Sequence, residues 1–230
     1  MVKNKKIKQE DNLQDVENAL TRTEQFIEEN QKLISIVIGA VVVVVAIYLG
    51  FGKFYLQPRE KEAKEQMFMA EHYFQTDSFN LAINGDGNYL GFLDIIDNYG
   101  MTKSANLSKY YTGVAYLHLG EFEQALDYLN SFDTDDMLVA PVAEGAKGDA
   151  YMELGKTDKA LSQYKKAYQL SENELTAPVY MIKAAAVLES MDKYNDALEI
   201  YNELKKKFPD TNEGRNIEKY IARAKTNLDK

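Results

Sequence analysis

A pattern of small and large apolar residues recurs along the C-terminal part of the chain at intervals of 35 and 37 residues. In each copy a small residue is followed by a large apolar residue three positions later and by an alanine twelve positions later. The copies are marked by Gly113, Tyr116 and Ala125, by Gly148, Tyr151 and Ala160, and by Ala185, Leu188 and Ala197. Self-similarity at such a period constrains the chain to an array of stacked structural repeats.

The spacing within one copy predicts a hairpin of two helices. A small residue on the first helix allows the second helix to approach closely, and the large residue three positions later fills the space beside it. A turn follows seven positions after the small residue, and the alanine at position twelve brings the second helix back against the first. One hairpin cannot bury its own apolar face, so successive copies must stack.

These residues resemble the tetratricopeptide repeat. The resemblance implies an all-α protein with a helical solenoid of about four hairpins. A degenerate first copy has Ala70, Tyr73 and Ala82 at the expected spacing, and the Gly-rich stretch at residues 84–88 interrupts its second helix. The approximate repeats are residues 59–99, 103–133, 139–170 and 175–209, within a repeat domain at residues 55–230. The amphipathic segment at residues 211–228 is predicted to be a capping helix.

Residues 33–52 form an uncharged, apolar run of 20 residues between Lys32 and Lys53. A helix rises about 1.5 Å per residue, so this run is long enough to cross the roughly 30 Å hydrocarbon layer of a bilayer. The run is too long for the apolar region of a signal peptide, and no cleavage site of small residues follows it. We therefore predict one uncleaved transmembrane helix at residues 33–54.

The N-terminal tail, residues 1–32, carries apolar residues at helical spacing: Leu13, Val16, Leu20 and Ile27. This spacing predicts a short amphipathic helix, which is either a solvated approach to the membrane or a partner-binding segment. Charge leaves the orientation open. The lysines at the start of the tail favour a cytoplasmic N-terminus, whereas the residues nearest the span carry more Lys and Arg on its C-terminal side.

The composition argues against several kinds of chemistry. The chain has no cysteine, which removes disulfides, thiolate nucleophiles and cysteine-ligated metal sites. Its formal net charge of -9 argues against nucleic-acid binding, because affinity for phosphate depends on cations. The two histidines, His72 and His118, have no partner at metal-ligand spacing, and the loop at residues 84–88 does not fit an EF-hand. We expect no enzyme activity, no cofactor, no metal and no small-molecule substrate.

The resemblance to tetratricopeptide arrays implies a concave groove lined by the first helix of each hairpin. Its inward positions are the candidate protein-binding residues: Met67, Glu71, Phe74, Tyr110, Val114, Leu117, His118, Asp149, Met152, Glu153, Ile182, Ala186 and Glu189. A groove of aromatic, Met and aliphatic side chains with acidic edges suits an apolar or basic segment of a partner protein. The alternative is that the helices of the chain itself partly fill this groove.

The order of a short tail, one membrane span and a repeat array close behind it resembles the family of bacterial ancillary subunits of the SecYEG translocon. The resemblance implies an inner-membrane protein with a cytoplasmic N-terminus and a periplasmic repeat domain that contacts the translocon, periplasmic chaperones or secreted clients. The predicted function is a non-enzymatic scaffold for protein translocation or periplasmic folding. Two alternatives stay open: an adaptor for another envelope assembly (outer-membrane biogenesis, cytochrome maturation or a division complex), and a self-associating structural subunit.

Overall fold

The computed structural model describes the backbone of residues 2–228 and the side chains of residue 26 and residues 28–228. Every regular element in this range is helical, which confirms the predicted all-α class. Residues 1–58 and residues 59–230 form two separate compact units.

The first unit is dominated by one long helix. Helix α1 spans Val2–Phe51 and is followed by a π-helical turn at Gly52–Leu56. No break separates the tail from the predicted span. The apolar part of this helical stretch is long and apolar enough to cross a membrane by length and composition, and none of it is buried within the protein. The predicted amphipathic side chains Leu13, Val16, Leu20 and Ile27 lie outside the described residues.

The second unit is a series of helix hairpins. Its helices are α2 (Gln57–Gln75), α3 (Phe79–Asn84), α4 (Phe92–Tyr99), α5 (Lys103–Leu119), α6 (Phe122–Ser131), α7 (Val139–Glu153), α8 (Thr157–Leu170), α9 (Ala177–Ser190), α10 (Tyr194–Lys207), α11 (Asn212–Arg215) and α12 (Ile217–Leu228). Helices α5 and α6, α7 and α8, and α9 and α10 form three regular hairpins. In the first repeat α2 is followed by two short helices, α3 and α4.

Each hairpin turns at the residue seven positions after the small residue of its repeat. The four turn residues all have a positive φ: Asp77 (57°), Gly120 (80°), Gly155 (67°) and Asp192 (57°). A residue in this left-handed conformation ends a helix while the backbone closes a reverse hydrogen bond. The N–H of Glu121, for example, donates to the carbonyl oxygen of Tyr116 at 2.9 Å. The turn predicted at this position is therefore present even in the degenerate first repeat.

The small residues of the repeats stand where two helices approach most closely. A Cβ added at Gly113 would lie 2.6 Å from Cγ of Leu129, and one added at Gly148 would lie 2.5 Å from the Tyr164 ring. The alanines of the second helices, Ala125, Ala160 and Ala197, are completely buried. These contacts confirm the hairpin packing that the spacing predicts.

The Gly-rich loop of the first repeat is organised by one carboxylate. Asp86 Oδ1 accepts hydrogen bonds from the N–H groups of Asn88 (2.9 Å) and Tyr89 (2.8 Å). Asp86 Oδ2 accepts a third from the hydroxyl of Tyr73 at 2.9 Å. These bonds lower the pKa of Asp86, with the backbone donors making the largest contribution. The loop thus folds back on α2 before α4 begins.

The last helix closes the C-terminal end of the core. Ile217, Ile221 and Ala224 of α12 are buried in the hydrophobic cluster formed by α8, α9 and α10. On the same helix, Arg223 Nη2 forms an ion pair with Oε2 of Glu189 at 2.9 Å. Helix α12 therefore caps the array, as predicted.

Candidate functional site

A cavity of about 530 Å³ lies among the first helices of three successive hairpins. Helices α5 and α7 supply most of its lining, and Tyr180 of α9 also contributes. Gly120, in the turn after α5, and Phe122, the first residue of α6, complete the lining. The groove, as we call this cavity, is lined by Tyr110, Val114, Leu117, His118, Gly120, Phe122, Val142, Ala146, Asp149, Glu153 and Tyr180.

The structure brings six of the thirteen candidate residues together in this groove. They are Tyr110, Val114, Leu117, His118, Asp149 and Glu153. They come from α5 and α7. Tyr110, Val114 and Leu117 on α5, like Asp149 and Glu153 on α7, are three or four residues apart and share one face of their helix, and His118 lies next to Leu117. The central part of the candidate surface therefore forms a single cavity.

One end of the groove is polar and internally hydrogen bonded. Asp149 accepts a hydrogen bond from the Tyr164 hydroxyl at 2.6 Å and forms an ion pair with Lys183 at 2.6 Å. Burial, together with this hydrogen bond, raises the pKa of Tyr164 above its ordinary value. Burial and the nearby Asp149 likewise raise the pKa of Tyr180. Both phenols therefore stay protonated, and Tyr164 acts as the donor to Asp149.

The charges that line the groove are all negative. Asp149 and Glu153 are its only fully charged lining residues within the described part of the chain, and Lys183 neutralises the first of them. Glu153 is solvent-exposed and takes part in no ion pair among the described residues. The remaining lining is mostly aromatic and aliphatic. This surface favours an apolar segment with a basic residue near the Glu153 end.

An aromatic cluster lies beside the groove, on the side of the first repeat. The ring of His118 stacks on Phe79 with a centroid distance of 4.5 Å. Phe74 packs edge-on against Phe79, Phe92 and Tyr111. Stacking on Phe79 holds His118 at the edge of the groove.

Met67 was predicted to line the groove, and the structure corrects this. Its side chain is buried in the hydrophobic cluster between α2, α4 and α5, and the hydroxyl of Ser108 donates to its sulfur at 3.1 Å. The resemblance to tetratricopeptide arrays placed it with the inward positions, but the approach of α5 covers that side of α2. Phe74 is likewise packed into the aromatic cluster. Glu71 on the same helix is partly buried, which raises the pKa of its carboxyl.

The C-terminal candidates are also separated from the groove. Met152 packs against the core, and Ala186 is exposed but lines no cavity described here. Ile182 lines a different cavity of about 360 Å³, between α9 and the two last helices. Glu189 is held by Arg223 of the capping helix and by the Tyr201 hydroxyl, which donates at 3.0 Å. The chain's own C-terminal helix thus covers the end of the surface predicted to be open.

Five residues that line the groove were not predicted from the sequence: Gly120, Phe122, Val142, Ala146 and Tyr180. Val142 and Ala146 stand seven and three residues before Asp149, so the helical spacing could have found them. Tyr180 enters because Gly145 has no Cβ, and the Tyr180 ring occupies that space. A glycine in the middle of α7 was the available signal.

No cluster of three or more metal-ligating side chains occurs among the residues whose side chains are described. The neighbours of the two histidines are aromatic rings: His72 lies beside Tyr73, and His118 stacks on Phe79. The groove offers shape, apolar surface and carboxylates. These are the properties of a binding surface for a polypeptide.

A stack of helix hairpins with such a groove defines the class of tetratricopeptide-repeat-like proteins, which generally mediate contacts between proteins. Residues 95–219, more than half of the chain, match the family model of the coatomer epsilon subunit, and the chain belongs to that family.

Two solved structures share the fold. Both are described as nearly identical TPR-like repeats of a putative kinesin light chain from Podosopora anserina, and one of the two is a single-residue variant. Each superposes with a TM-score of 0.58 at 12% sequence identity, covering 74% of this chain and 88% of the other. At this identity the likeness concerns the fold alone. No curated protein sequence matches the chain significantly.

Proposed function

We propose that the protein is a non-enzymatic, membrane-anchored scaffold whose groove binds an apolar or basic segment of a partner protein. The observation that carries this proposal is the groove itself. Three successive hairpins contribute its aromatic and aliphatic lining, and α7 adds two carboxylates, Asp149 and Glu153. The uncharged run at residues 33–52 directly precedes the array in sequence and supplies the anchor.

We place this scaffold at the bacterial inner membrane, beside the Sec translocon, with the repeat domain in the periplasm. The support is the order of tail, span and array, which resembles the translocon-associated family. In this role the groove holds an emerging secreted segment or a periplasmic chaperone.

The proposal predicts a site-specific contact in living cells. A photo-crosslinking amino acid at Val114, which lines the groove, should form covalent adducts with translocon subunits, periplasmic folding factors or secreted proteins. The same amino acid at Ser162, exposed on α8 and outside every cavity described here, is the matched control. Adducts are identified by mass spectrometry after mild solubilisation of the membrane.

The outcomes separate the open alternatives. Adducts at Val114 that contain another envelope complex and lack the translocon leave the scaffold role intact and exclude the translocon assignment. Adducts composed only of a second copy of the chain indicate a self-associating subunit. Equal adduct patterns at Val114 and Ser162 contradict groove binding.

The proposed orientation is testable because the chain has no cysteine. A single cysteine introduced at Ser162 should react with a membrane-impermeant maleimide in spheroplasts. A cysteine at Asn12 in the tail should react only after lysis. The reverse pattern would place the repeat domain in the cytoplasm, and labelling of both sites before lysis would contradict a membrane-spanning anchor.

A further inference from the structure

Two successive inter-hairpin loops share one pattern of side-chain-to-backbone hydrogen bonds and expose leucines at equivalent positions. Asp136 Oδ1 accepts from the N–H groups of Leu138 (2.8 Å) and Val139 (2.9 Å). Thirty-seven residues later, Asn173 Oδ1 accepts from the N–H groups of Leu175 (2.9 Å) and Thr176 (2.8 Å). Each loop leads into a helix through an Ala-Pro pair. Leu138 and Leu175 therefore occupy equivalent positions, each two residues after the side chain that accepts the hydrogen bonds.

The two loops lie side by side. Nδ2 of Asn173 donates to the carbonyl oxygen of Met137 at 3.3 Å, which holds the second loop against the first. Met137 is 73% exposed, Leu138 46% and Leu175 72%. Large apolar side chains gathered on adjacent loops at this exposure indicate a contact surface, since scattered single ones would need no explanation. We call residues 133–138 and 172–175 the loop edge.

A small cavity adjoins this edge. It has a volume of about 240 Å³ and lies between the first loop, α7 and the end of α8. Its apolar lining comes from Phe132, Ala140, Ala143 and Leu170. Its two lysines, Lys147 and Lys166, are both engaged by Glu144 at 2.9 Å. The cavity has the dimensions for one apolar side chain of a partner, beside the exposed leucines.

The loop edge is strongly acidic. It contains Asp133, Asp135, Asp136, Glu172 and Glu174 and no Lys or Arg. Lys207 neutralises Glu172 at 2.8 Å, and Asp136 is engaged by the backbone of its own loop. Within the part of the chain whose side chains are described, Asp133, Asp135 and Glu174 form no ion pair. Three carboxylates without an ion-pair partner among the described residues thus lie on the same two loops as the exposed leucines.

We infer that the loop edge is a second docking surface, separate from the groove, for a basic amphipathic segment of a partner protein. The apolar side chains of that segment cover Met137, Leu138 and Leu175, and its lysines or arginines face the three carboxylates. An anionic lipid surface carries the wrong charge. A second copy of the chain would be repelled as well. Residues 1–58 hold seven charges of each sign, so residues 59–230 carry the whole net charge of -9.

The test uses the full chain in nanodiscs of zwitterionic lipid, with empty nanodiscs as the blank. The probe is a fluorescent synthetic peptide in which leucines recur every three or four residues among lysines, so that one helical face is apolar. The double variant Leu138→Ser/Leu175→Ser should bind this peptide about tenfold more weakly by fluorescence anisotropy. The variant Asp133→Asn/Asp135→Asn/Glu174→Gln should weaken binding and reduce its dependence on salt.

Matched controls make each outcome decisive. All affinities are measured in the Val114→Arg background, because the groove is itself proposed to bind apolar or basic segments and would otherwise contribute. In this background Leu81→Ser, which changes an exposed leucine on α3, should leave the affinity unchanged. A peptide with glutamate in place of lysine should not bind. Unchanged affinity in the Leu138→Ser/Leu175→Ser variant, or an equal loss in Leu81→Ser, overturns the proposal. Self-association or binding to anionic vesicles that depends on Leu138 and Leu175 overturns it in favour of a second copy or a membrane.

Discussion

Replacing Glu144 by alanine is expected to lower the free energy of unfolding by about 3–5 kcal/mol, the usual cost of breaking a buried ion pair from one side. Oε1 of Glu144 accepts hydrogen bonds from Lys147 and Lys166, both at 2.9 Å. The side chains of Glu144 and Lys147 are only 10% and 11% exposed. Without the carboxylate, the ammonium of Lys147 stays buried with no counter-charge. Chemical unfolding followed by circular dichroism measures the change.

The control for this prediction is provided by the chain itself. In the last repeat the positions equivalent to Glu144 and Lys147 are Met181 and Ala184, both buried. The double variant Glu144→Met/Lys147→Ala copies that apolar arrangement and removes both buried charges. It should be at least as stable as the natural protein, because apolar residues commonly replace a buried ion pair without loss. Equal destabilisation of the single and double variants would contradict an electrostatic origin.

Gly91→Ala is expected to destabilise the first repeat by about 3 kcal/mol, at the upper end of overpacking effects. A Cβ at this position would overlap the carbonyl oxygen of Ile83 and the backbone nitrogen of Gly85. Backbone atoms cannot yield as a flexible side chain does, so the loop between α3 and α4 would have to open. The measurement is the urea midpoint of the full chain, with hydrogen exchange of residues 79–99 to locate the opening.

Gly87→Ala in the same loop is the matched control. No atom lies within 4 Å of a Cβ built there, but φ is +88°, a conformation that only glycine adopts without strain. This variant should cost about 1 kcal/mol and leave the protection of α3 and α4 unchanged. If the two variants behave alike, close backbone approach is not what requires Gly91.

The surface properties of the array could only partly be derived from sequence. The resemblance to tetratricopeptide arrays identified Tyr110, Val114 and Asp149 as residues of one surface, and helical spacing accounts for Tyr110 and Val114 sharing a face of α5. The same resemblance placed Met67 there, where the structure does not. Spacing identifies which residues share a face, but it does not tell whether another helix covers that face, as α5 covers Met67.

The loop edge gives a second example, in which the sequence does not tell that residues are uncovered. Its two loops have different sequences around Asp136 and Asn173, and their likeness lies in side-chain oxygens that accept hydrogen bonds from backbone N–H groups. Leu138 and Leu175 are exposed. Exposure depends on which other elements pack against a residue, so the local sequence does not indicate it.

The sequence by itself determined the all-helical class, the positions of the hairpin turns, the capping helix and the apolar run at residues 33–52. These depend on local spacing, on small residues at helix crossings and on the length of an uncharged stretch, all of which are properties of neighbouring residues. Three features are visible only in the tertiary structure: Tyr180 enters the groove beside Gly145, Glu189 forms an ion pair with Arg223, and Glu144 is buried between two lysines. Each of these outcomes depends on how helices far apart in the sequence cross, and local periodicity carries no information about how they cross.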